Sequence, residues 1–333
     1  MKRTLIFALA IAAAKPVFAQ EVNVYSYRQP DLIAPLTDAF TEATGIDVNV
    51  AYLEKGMVER MKAEGRRSPA DLVFTVDISR LASIVTQDLT QPVSSDKLLE
   101  NVPEIYRDPN GHWYGLTTRA RIVYASKDRV AEGEITTYED LASPKWKDRI
   151  CTRSGMHAYN IALTSAVVHH QGEDGAKAWL EGIKSNLARR PQGNDRAQVK
   201  AIWAGECDVA IGNTYYMGKM LADEEQQEWA QSVDVVFPVF EDGGTHVNVS
   251  GVALAKHAPN PENALLLMEY LTSPEAQEIY AKINYEYPIA EGANPDDLVA
   301  SWGSFDADTV NLMALAANRP TALRITEEVD FDG

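Results

Sequence analysis

Two adjacent tyrosines, Tyr215 and Tyr216, lie between an apolar run at residues 207–211 and a helical pattern at residues 219–222. This order predicts a buried strand, a turn and the start of a helix. Neighbouring side chains within a strand face opposite ways, whereas at a turn they can converge. Two converging phenols offer hard oxygen donors, which suit a small, highly charged cation once deprotonated. Alternatively, the rings only pack and their hydroxyls only form hydrogen bonds.

A third tyrosine, Tyr159, occupies a matching context. Cys151 lies eight residues before Tyr159, and Cys207 lies eight residues before Tyr215. In an exported protein an even number of cysteines favours a disulfide, although two buried free thiols are the alternative. If the two segments are neighbouring strands, the disulfide stabilises the part of the sheet that lies beneath the phenols. Taken alone, Tyr159 is also typical of a packed ring at a helix start.

Residues 1–19 have the character of an export leader. Lys2 and Arg3 give a charged start, and residues 5–14 form an apolar run that is too short to span a bilayer. Small residues precede a cleavage-compatible position after Ala19. We therefore predict a cleaved leader and an exported protein.

The composition bounds the partners and the chemistry. A chain of 333 residues with a formal net charge of −17 is long enough for two domains and too acidic for nucleic acid as partner. The sequence contains no Gly-x-Ser-x-Gly, His-Glu-x-x-His or phosphate-binding glycine loop. We therefore expect a binding protein rather than an enzyme.

The first part of the mature chain alternates strands with helices. Strands are predicted at residues 22–26, 46–50 and 69–74, and helices at residues 32–45, 55–64 and 78–87. Such alternation is typical of a mostly parallel sheet with helices on both faces.

The second part also alternates strands with helices, and it contains two long strands. Residues 119–125 and 247–254 read as strands that cross between domains. A further strand is predicted at residues 233–238, in addition to the one at residues 207–211. Helices are predicted at residues 160–170, 176–186, 195–204, 261–272, 305–315 and from Ser273 with Pro274. Two α/β lobes joined by crossing strands form a clamshell with a cleft.

Several segments together resemble the periplasmic ferric-ion-binding proteins of bacterial ABC iron importers, which are two-lobed solute-binding proteins with a transferrin-like iron site. The likeness covers essentially the whole mature chain. It is clearest in residues 68–71, 116–123, 151–160, 205–216 and 248–251. The resemblance implies an N-terminal lobe of residues 20–118 with about 247–297, and a C-terminal lobe of about 119–246 with 298–333.

In that family an adjacent tyrosine pair and one further tyrosine bind Fe(III) in the cleft. The resemblance assigns these roles to Tyr215, Tyr216 and Tyr159, the last in a His-x-Tyr-Asn sequence. It also implies that an arginine of the Arg-Ala-Arg strand lies beside the ligands, and Arg119 is the candidate.

The chain departs from the family pattern after the first strand. Many members have an Arg-His-Tyr sequence there, and this chain has Arg28-Gln29-Pro30. Tyr27 could supply a ligand if the loop turns it inward, and Gln29 is a further candidate. Otherwise the first lobe offers water or an anion held by Arg28.

The resemblance makes the chemistry specific. Three tyrosinates balance the charge of Fe(III), and a neighbouring arginine favours an added anion such as carbonate. Metal binding releases the phenolic protons, so acid should weaken it. The expected partner is the inner-membrane permease of an iron ABC transporter, with the protein as a monomer. The alternatives are a solute-binding protein for a polyamine or sugar, and a secreted hydrolase.

Overall fold

The computed structural model describes residues 20–333, so the predicted leader at residues 1–19 lies outside the described part of the chain. The strands are β1 Glu21–Ser26, β2 Asp47–Tyr52, β3 Leu72–Thr75, β4 Tyr114–Ser126, β5 Ile150–Cys151, β6 Val209–Asn213, β7 Val233–Val236, β8 Val247–Leu254 and β9 Tyr287–Pro288. The α-helices are α1 Ala34–Thr44, α2 Met57–Glu64, α3 Ile78–Thr86, α4 Asp96–Asn101, α5 Ala158–Ser185, α6 Asp195–Trp203, α7 Thr214–Leu221, α8 Gln227–Gln231, α9 Pro261–Leu271, α10 Pro274–Asn284, α11 Asp297–Ala300, α12 Leu312–Ala317 and α13 Arg319–Glu328.

The strands form a mixed sheet in the order β2-β1-β3-β8-β4-β6-β5, and β7 and β9 each pair with β4. Pairing is parallel between β1 and β2, between β1 and β3 and between β5 and β6. Every described pairing that involves β4 or β8 is antiparallel. The sheet is therefore less parallel than the alternation of strands and helices suggests.

Strands β4 and β8 cause this difference because they connect two lobes. The first half of β4 pairs with β8 and β9, and its second half pairs with β6 and β7. The chain thus leaves the lobe built on β1–β3, the first lobe, through β4 and returns through β8. A strand that returns must run opposite to the strand that left. The predicted two-lobed α/β architecture and both crossing strands are confirmed.

Local signals in the sequence place several helix ends. Helix α1 buries Leu36 and Phe40 and ends at Gly45, whose φ of 71° is the left-handed conformation that glycine adopts without strain. Helix α10 begins where the Ser273 side chain accepts a hydrogen bond from the amide of Ala276, with Pro274 in the first turn. Both helices pack on the core of the first lobe, where Tyr280 is buried.

The predicted helix at residues 305–315 is wrong. Phe305 stacks on Phe237 with 4.7 Å between ring centroids, and Ala307 forms a β-bridge with Thr245, so this backbone is extended. A helix starts only at α12, where the Asn311 side chain caps the amide of Met313 at 2.8 Å. Helix α13 follows and packs on α5.

The predicted helices at residues 160–170 and 176–186 together form α5, which breaks at Gly172 with φ 71° and ψ 179°. No helix within residues 20–333 has both the length and the apolar character that a membrane crossing requires.

Candidate metal centre

Tyr215 and Tyr216 lie in the first turn of α7, directly after β6, as the sequence predicts. The strand end is held in place because the Tyr124 hydroxyl donates a hydrogen bond to the carbonyl of Asn213 at 2.6 Å. The Tyr124 ring lies so close that a Cβ at Gly212 would come within 2.1 Å of it. Packing at this turn therefore fixes the position of the backbone from which the side chains of Tyr215 and Tyr216 extend.

Three phenols converge in the second lobe, which is built on β5–β7. Tyr159 lies in the first turn of α5, where the His157 ring accepts a hydrogen bond from its amide. The Tyr215 and Tyr159 hydroxyls are 3.1 Å apart, and the ring centroids of Tyr215 and Tyr216 are 4.2 Å apart. The structure thus brings together the three tyrosines that the sequence singled out.

Burial keeps the adjacent phenols of Tyr215 and Tyr216 protonated when no cation is present. Burial raises the pKa of Tyr215 well above its ordinary value, and the nearby phenols of Tyr159 and Tyr216 raise it further. Burial, followed by Tyr159, raises the pKa of Tyr216 to about 12. A bound cation reverses this preference because it stabilises the phenolate.

A buried ionic network lies around Tyr159. The carboxylate of Asp195 accepts hydrogen bonds from Arg121, at 2.5 Å, and from Arg153. The guanidinium carbons of these arginines lie 5.9 Å and 5.5 Å from the centre of the Tyr159 ring. Arg121 also donates to Asn213, next to the tyrosine pair.

Sequence reasoning missed Asp195 and Arg153 and named only Arg119 from the Arg-Ala-Arg strand. A usable signal for Arg121 was present, because residues two apart on a strand share a face. Arg119 and Arg121 do line one cavity together with Tyr159. The other residues around this cavity of about 10 Å³ are Ala162, Asn213, His246 and Asn248.

The two arginines predicted to hold an anion lie at the junction of the lobes. Arg119 donates a hydrogen bond to the Ser250 hydroxyl at 2.9 Å, and Arg28 forms an ion pair of 2.6 Å with Glu286. Within residues 20–333, the buried Nε of Arg28 has no hydrogen-bond partner. Arg28 is also near enough to Tyr215 for the guanidinium to act electrostatically on that phenol.

The remaining candidates from the first lobe lie elsewhere. The Tyr27 ring carries the Arg80 guanidinium at 3.9 Å and packs beside Met57. Burial raises the pKa of Tyr27. Gln29 is exposed and precedes a 3-10 turn. Among the described contacts, none joins Tyr27 or Gln29 to the three converging phenols.

The predicted disulfide between Cys151 and Cys207 is confirmed. Strands β5 and β6 are parallel neighbours, with Cys151 opposite Ala210 in the register. The bridge therefore ties together the two segments that lead to Tyr159 and Tyr215.

A distant carboxylate holds the loop that precedes Tyr159. Asp332 accepts a hydrogen bond from the Gly155 amide at 2.7 Å and another from the Ser154 hydroxyl. The loop that leads into α5 is thus held by a residue much further along the chain.

A wider cavity of about 690 Å³ lies beside α7, where Met217 and Leu221 contribute to its wall. The predicted metal ligands are absent from its described lining. It is a surface feature of the second lobe, separate from the phenol cluster.

Comparison with known proteins places the chain among binding proteins. Residues 67–304 match the family model described as bacterial extracellular solute-binding protein. The chain is 44% identical to iron uptake protein A1 of Synechocystis over 96% of this chain and 89% of the relative. It is similar to the open ferric iron-binding protein A of Mannheimia haemolytica, with 52% identity, a TM-score of 0.90 and coverage of 94% and 99%. A Trichodesmium protein solved with iron and citrate ligands has 38% identity, a TM-score of 0.90 and coverage of 93% and 99%.

Proposed function

The chain belongs to the family of bacterial extracellular solute-binding proteins, and we propose that it captures ferric ion through tyrosinate ligands and delivers it to an ABC importer. The convergence of Tyr159, Tyr215 and Tyr216 carries this proposal. Two of their oxygens are 3.1 Å apart, a separation that suits neighbouring ligands on a small cation with bonds of about 2 Å.

The donor set matches Fe(III) in charge and hardness. Three phenolates neutralise the three positive charges of the ion, and hard anionic oxygens are the donors that such an ion prefers. Arg121 and Arg153 place positive charge beside the Tyr159 ring, while Asp195 balances the charge of both arginines. The second lobe alone therefore supplies three ligands and their electrostatic support.

The first lobe contributes positive charge in this proposal. Arg28 has a buried donor without a protein partner and interacts with Tyr215, so an anion such as carbonate can complete the coordination there. Arg119 would assist it from β4. Tyr27 and Gln29 remain predicted ligands, and a different orientation of the loop after β1 would be required for either to reach the ion.

A small organic solute is the second candidate. The cavity beside Tyr159, at about 10 Å³, has room for a particle of the size of one water molecule. A polyamine or a sugar needs far more space. This observation favours an ion over the organic solute.

The setting of this function is part of the same proposal. The protein acts in the periplasm as a monomer after removal of residues 1–19, and it binds rather than catalyses. The lobe boundaries near residues 118, 247 and 297 remain predictions. The assignment of residues 298–333 to the second lobe is supported by the packing of Trp302 and Phe305 against the core of that lobe.

Removal of single phenol oxygens tests the proposal. Tyrosinate bound to Fe(III) absorbs visible light, so protein loaded with ferric citrate should be coloured. We expect Tyr159→Phe, Tyr215→Phe and Tyr216→Phe to shift or bleach the band and to weaken iron binding. Tyr52→Phe is the matched control, because Tyr52 is exposed on β2. A wild-type protein that stays colourless, or a band that survives all three changes, contradicts the proposal.

A further inference from the structure

Glu286 is a buried carboxylate between α10 and β9. Its side chain is 1% exposed. One carboxylate oxygen accepts a hydrogen bond from Arg28 at 2.6 Å. The other accepts from the hydroxyls of Thr117, at 2.5 Å, and Ser250, at 3.0 Å. Every oxygen of this carboxylate thus has a defined partner.

The partners of Glu286 come from both crossing strands. Thr117 belongs to β4 and Ser250 belongs to β8. The Ser250 hydroxyl also accepts a hydrogen bond from Arg119 at 2.9 Å. Glu286 therefore holds Arg28 directly and contacts Arg119 of β4 through one hydroxyl, and it attaches Arg28 to the strands that join the lobes.

The position of Arg28 matters beyond its ion pair. The Arg28 side chain also lies within 5.4 Å of the Tyr280 ring centre, so it is enclosed by the first lobe. Its charge nevertheless acts on Tyr215 and Lys219 of α7 in the second lobe. A side chain that is buried in one lobe and acts on the other must be held accurately.

We propose that Glu286 is a positioning residue that orients Arg28 and Arg119 toward the anion accompanying the ferric ion, and thereby couples anion binding to the crossing strands. This inference rests on the proposed function. Without the carboxylate, Arg28 loses its partner and the hydroxyls of Thr117 and Ser250 lose their common acceptor. The tyrosines of the second lobe make no described contact with Glu286, so iron binding itself should survive.

Glu286→Gln tests this inference, because it keeps the shape and removes the charge. Iron affinity would be measured by competition with nitrilotriacetate, from the visible band, in bicarbonate-free buffer and in millimolar bicarbonate. In the wild type, bicarbonate should raise the affinity by a factor between about 5 and 150, the range usual for linked sites. In Glu286→Gln the visible band should remain, and the bicarbonate effect should fall below about twofold.

The metal-free protein provides a second measurement. Bicarbonate should raise the melting temperature of the metal-free wild type by mass action and leave that of Glu286→Gln unchanged. Asp71→Asn is the matched control, because Asp71 is a fully buried first-lobe carboxylate that accepts backbone hydrogen bonds and contacts no described arginine. It should lower stability and keep the full bicarbonate effect on iron affinity.

The outcomes separate the two proposals. A wild type without a visible band overturns the proposed function. A wild type with a band but no bicarbonate effect overturns the role of Glu286 and leaves tyrosinate coordination standing, as does a Glu286→Gln protein that responds to bicarbonate like the wild type. Should Glu286→Gln not fold, Ser250→Ala removes the hydroxyl that Arg119 and Glu286 share. That variant should lower the bicarbonate effect, and an unchanged effect overturns the inference.

Discussion

Asp195 shows how single residues prepare the site. Its side chain is fully buried, and a buried charge costs several kcal/mol of desolvation unless partners compensate it. Arg121 and Arg153 provide that compensation and flank the Tyr159 ring at the same time. Because Arg121 also contacts Asn213, one carboxylate organises the surroundings of all three tyrosines.

Replacing Asp195 with alanine should lower the free energy of unfolding by about 3–5 kcal/mol, because two buried or half-buried arginines lose their common partner. Urea unfolding followed by circular dichroism measures this change. Asp96→Ala is the control, since Asp96 is an exposed residue in the first turn of α4 just as Asp195 is in the first turn of α6. A loss for Asp195→Ala no larger than that of the control would contradict the role of the network.

At the scale of single residues, the sequence predicts the candidate ligand tyrosines better than it predicts the charged residues that surround them. Tyr159, Tyr215 and Tyr216 are predicted as ligands because the adjacent pair and the His-x-Tyr-Asn sequence resemble the pattern of ferric-ion-binding proteins. Asp195 has no such signature, because aspartate is common at helix starts for capping alone. Only the fold shows that this one faces two arginines.

The short strands β5 and β6 precede the helices α5 and α7, which carry the predicted ligands. Strand β5 has only two residues, so backbone pairing with β6 offers it few hydrogen bonds. The disulfide between Cys151 and Cys207 joins the same two segments across a sequence separation of 56 residues. The disulfide therefore holds the two segments together, as a longer ladder of backbone hydrogen bonds would otherwise do.

Replacing both cysteines with serine should lower the free energy of unfolding by about 4 kcal/mol, the chain-entropy value for a loop of this length. The same change should broaden the visible band of the iron complex, since Tyr159 and Tyr215 would lose their common brace. Wild-type protein treated with a reductant provides the control that leaves the side chains in place. An unchanged stability in both samples would contradict this role of the bridge.

Element ends were predictable where capping chemistry is local. Ser273 with Pro274 and the glycine at position 45 mark their helices because the hydrogen bonds involved lie within a few residues. The extended segment at Phe305 was not predictable, because its conformation depends on stacking with Phe237 and on a bridge to Thr245. Tertiary contacts there outweigh the local helical pattern.

At the scale of the whole molecule, the lobes meet through a tyrosine and a glycine. Tyr285 ends α10 in the left-handed conformation, with φ 56°. Its ring lies against Gly218 of α7, where an added Cβ would come within 2.3 Å of the ring. The helix that carries the tyrosine pair thus has a first-lobe ring directly on its surface.

Gly218→Ala should prevent this approach, so the lobes should separate or α7 should shift. We expect a larger radius of gyration in small-angle X-ray scattering of the iron-loaded protein, together with weaker iron binding. Adding Tyr285→Ala should restore the compact form, because it removes the ring that the new methyl group meets. A single variant with the dimensions and affinity of the wild type would contradict this prediction.

The two-lobed architecture could be predicted from the alternation of strands and helices and from two long strands. The contact between the lobes could not be predicted from the sequence. Gly218 reads in sequence as an ordinary small residue inside a helix, and Tyr285 as one more aromatic. Their juxtaposition depends on how α10 ends and how β4 and β8 set one lobe against the other.

The carboxylate of Asp332 carries a consequence for biosynthesis. It secures Ser154 and Gly155, which lie 178 and 177 residues earlier in the chain. In a polypeptide that emerges amino end first, these hydrogen bonds can form only after residue 332 has been released. The loop that leads to the predicted ligand Tyr159 is therefore stabilised only after the 177 residues that follow Gly155 have emerged.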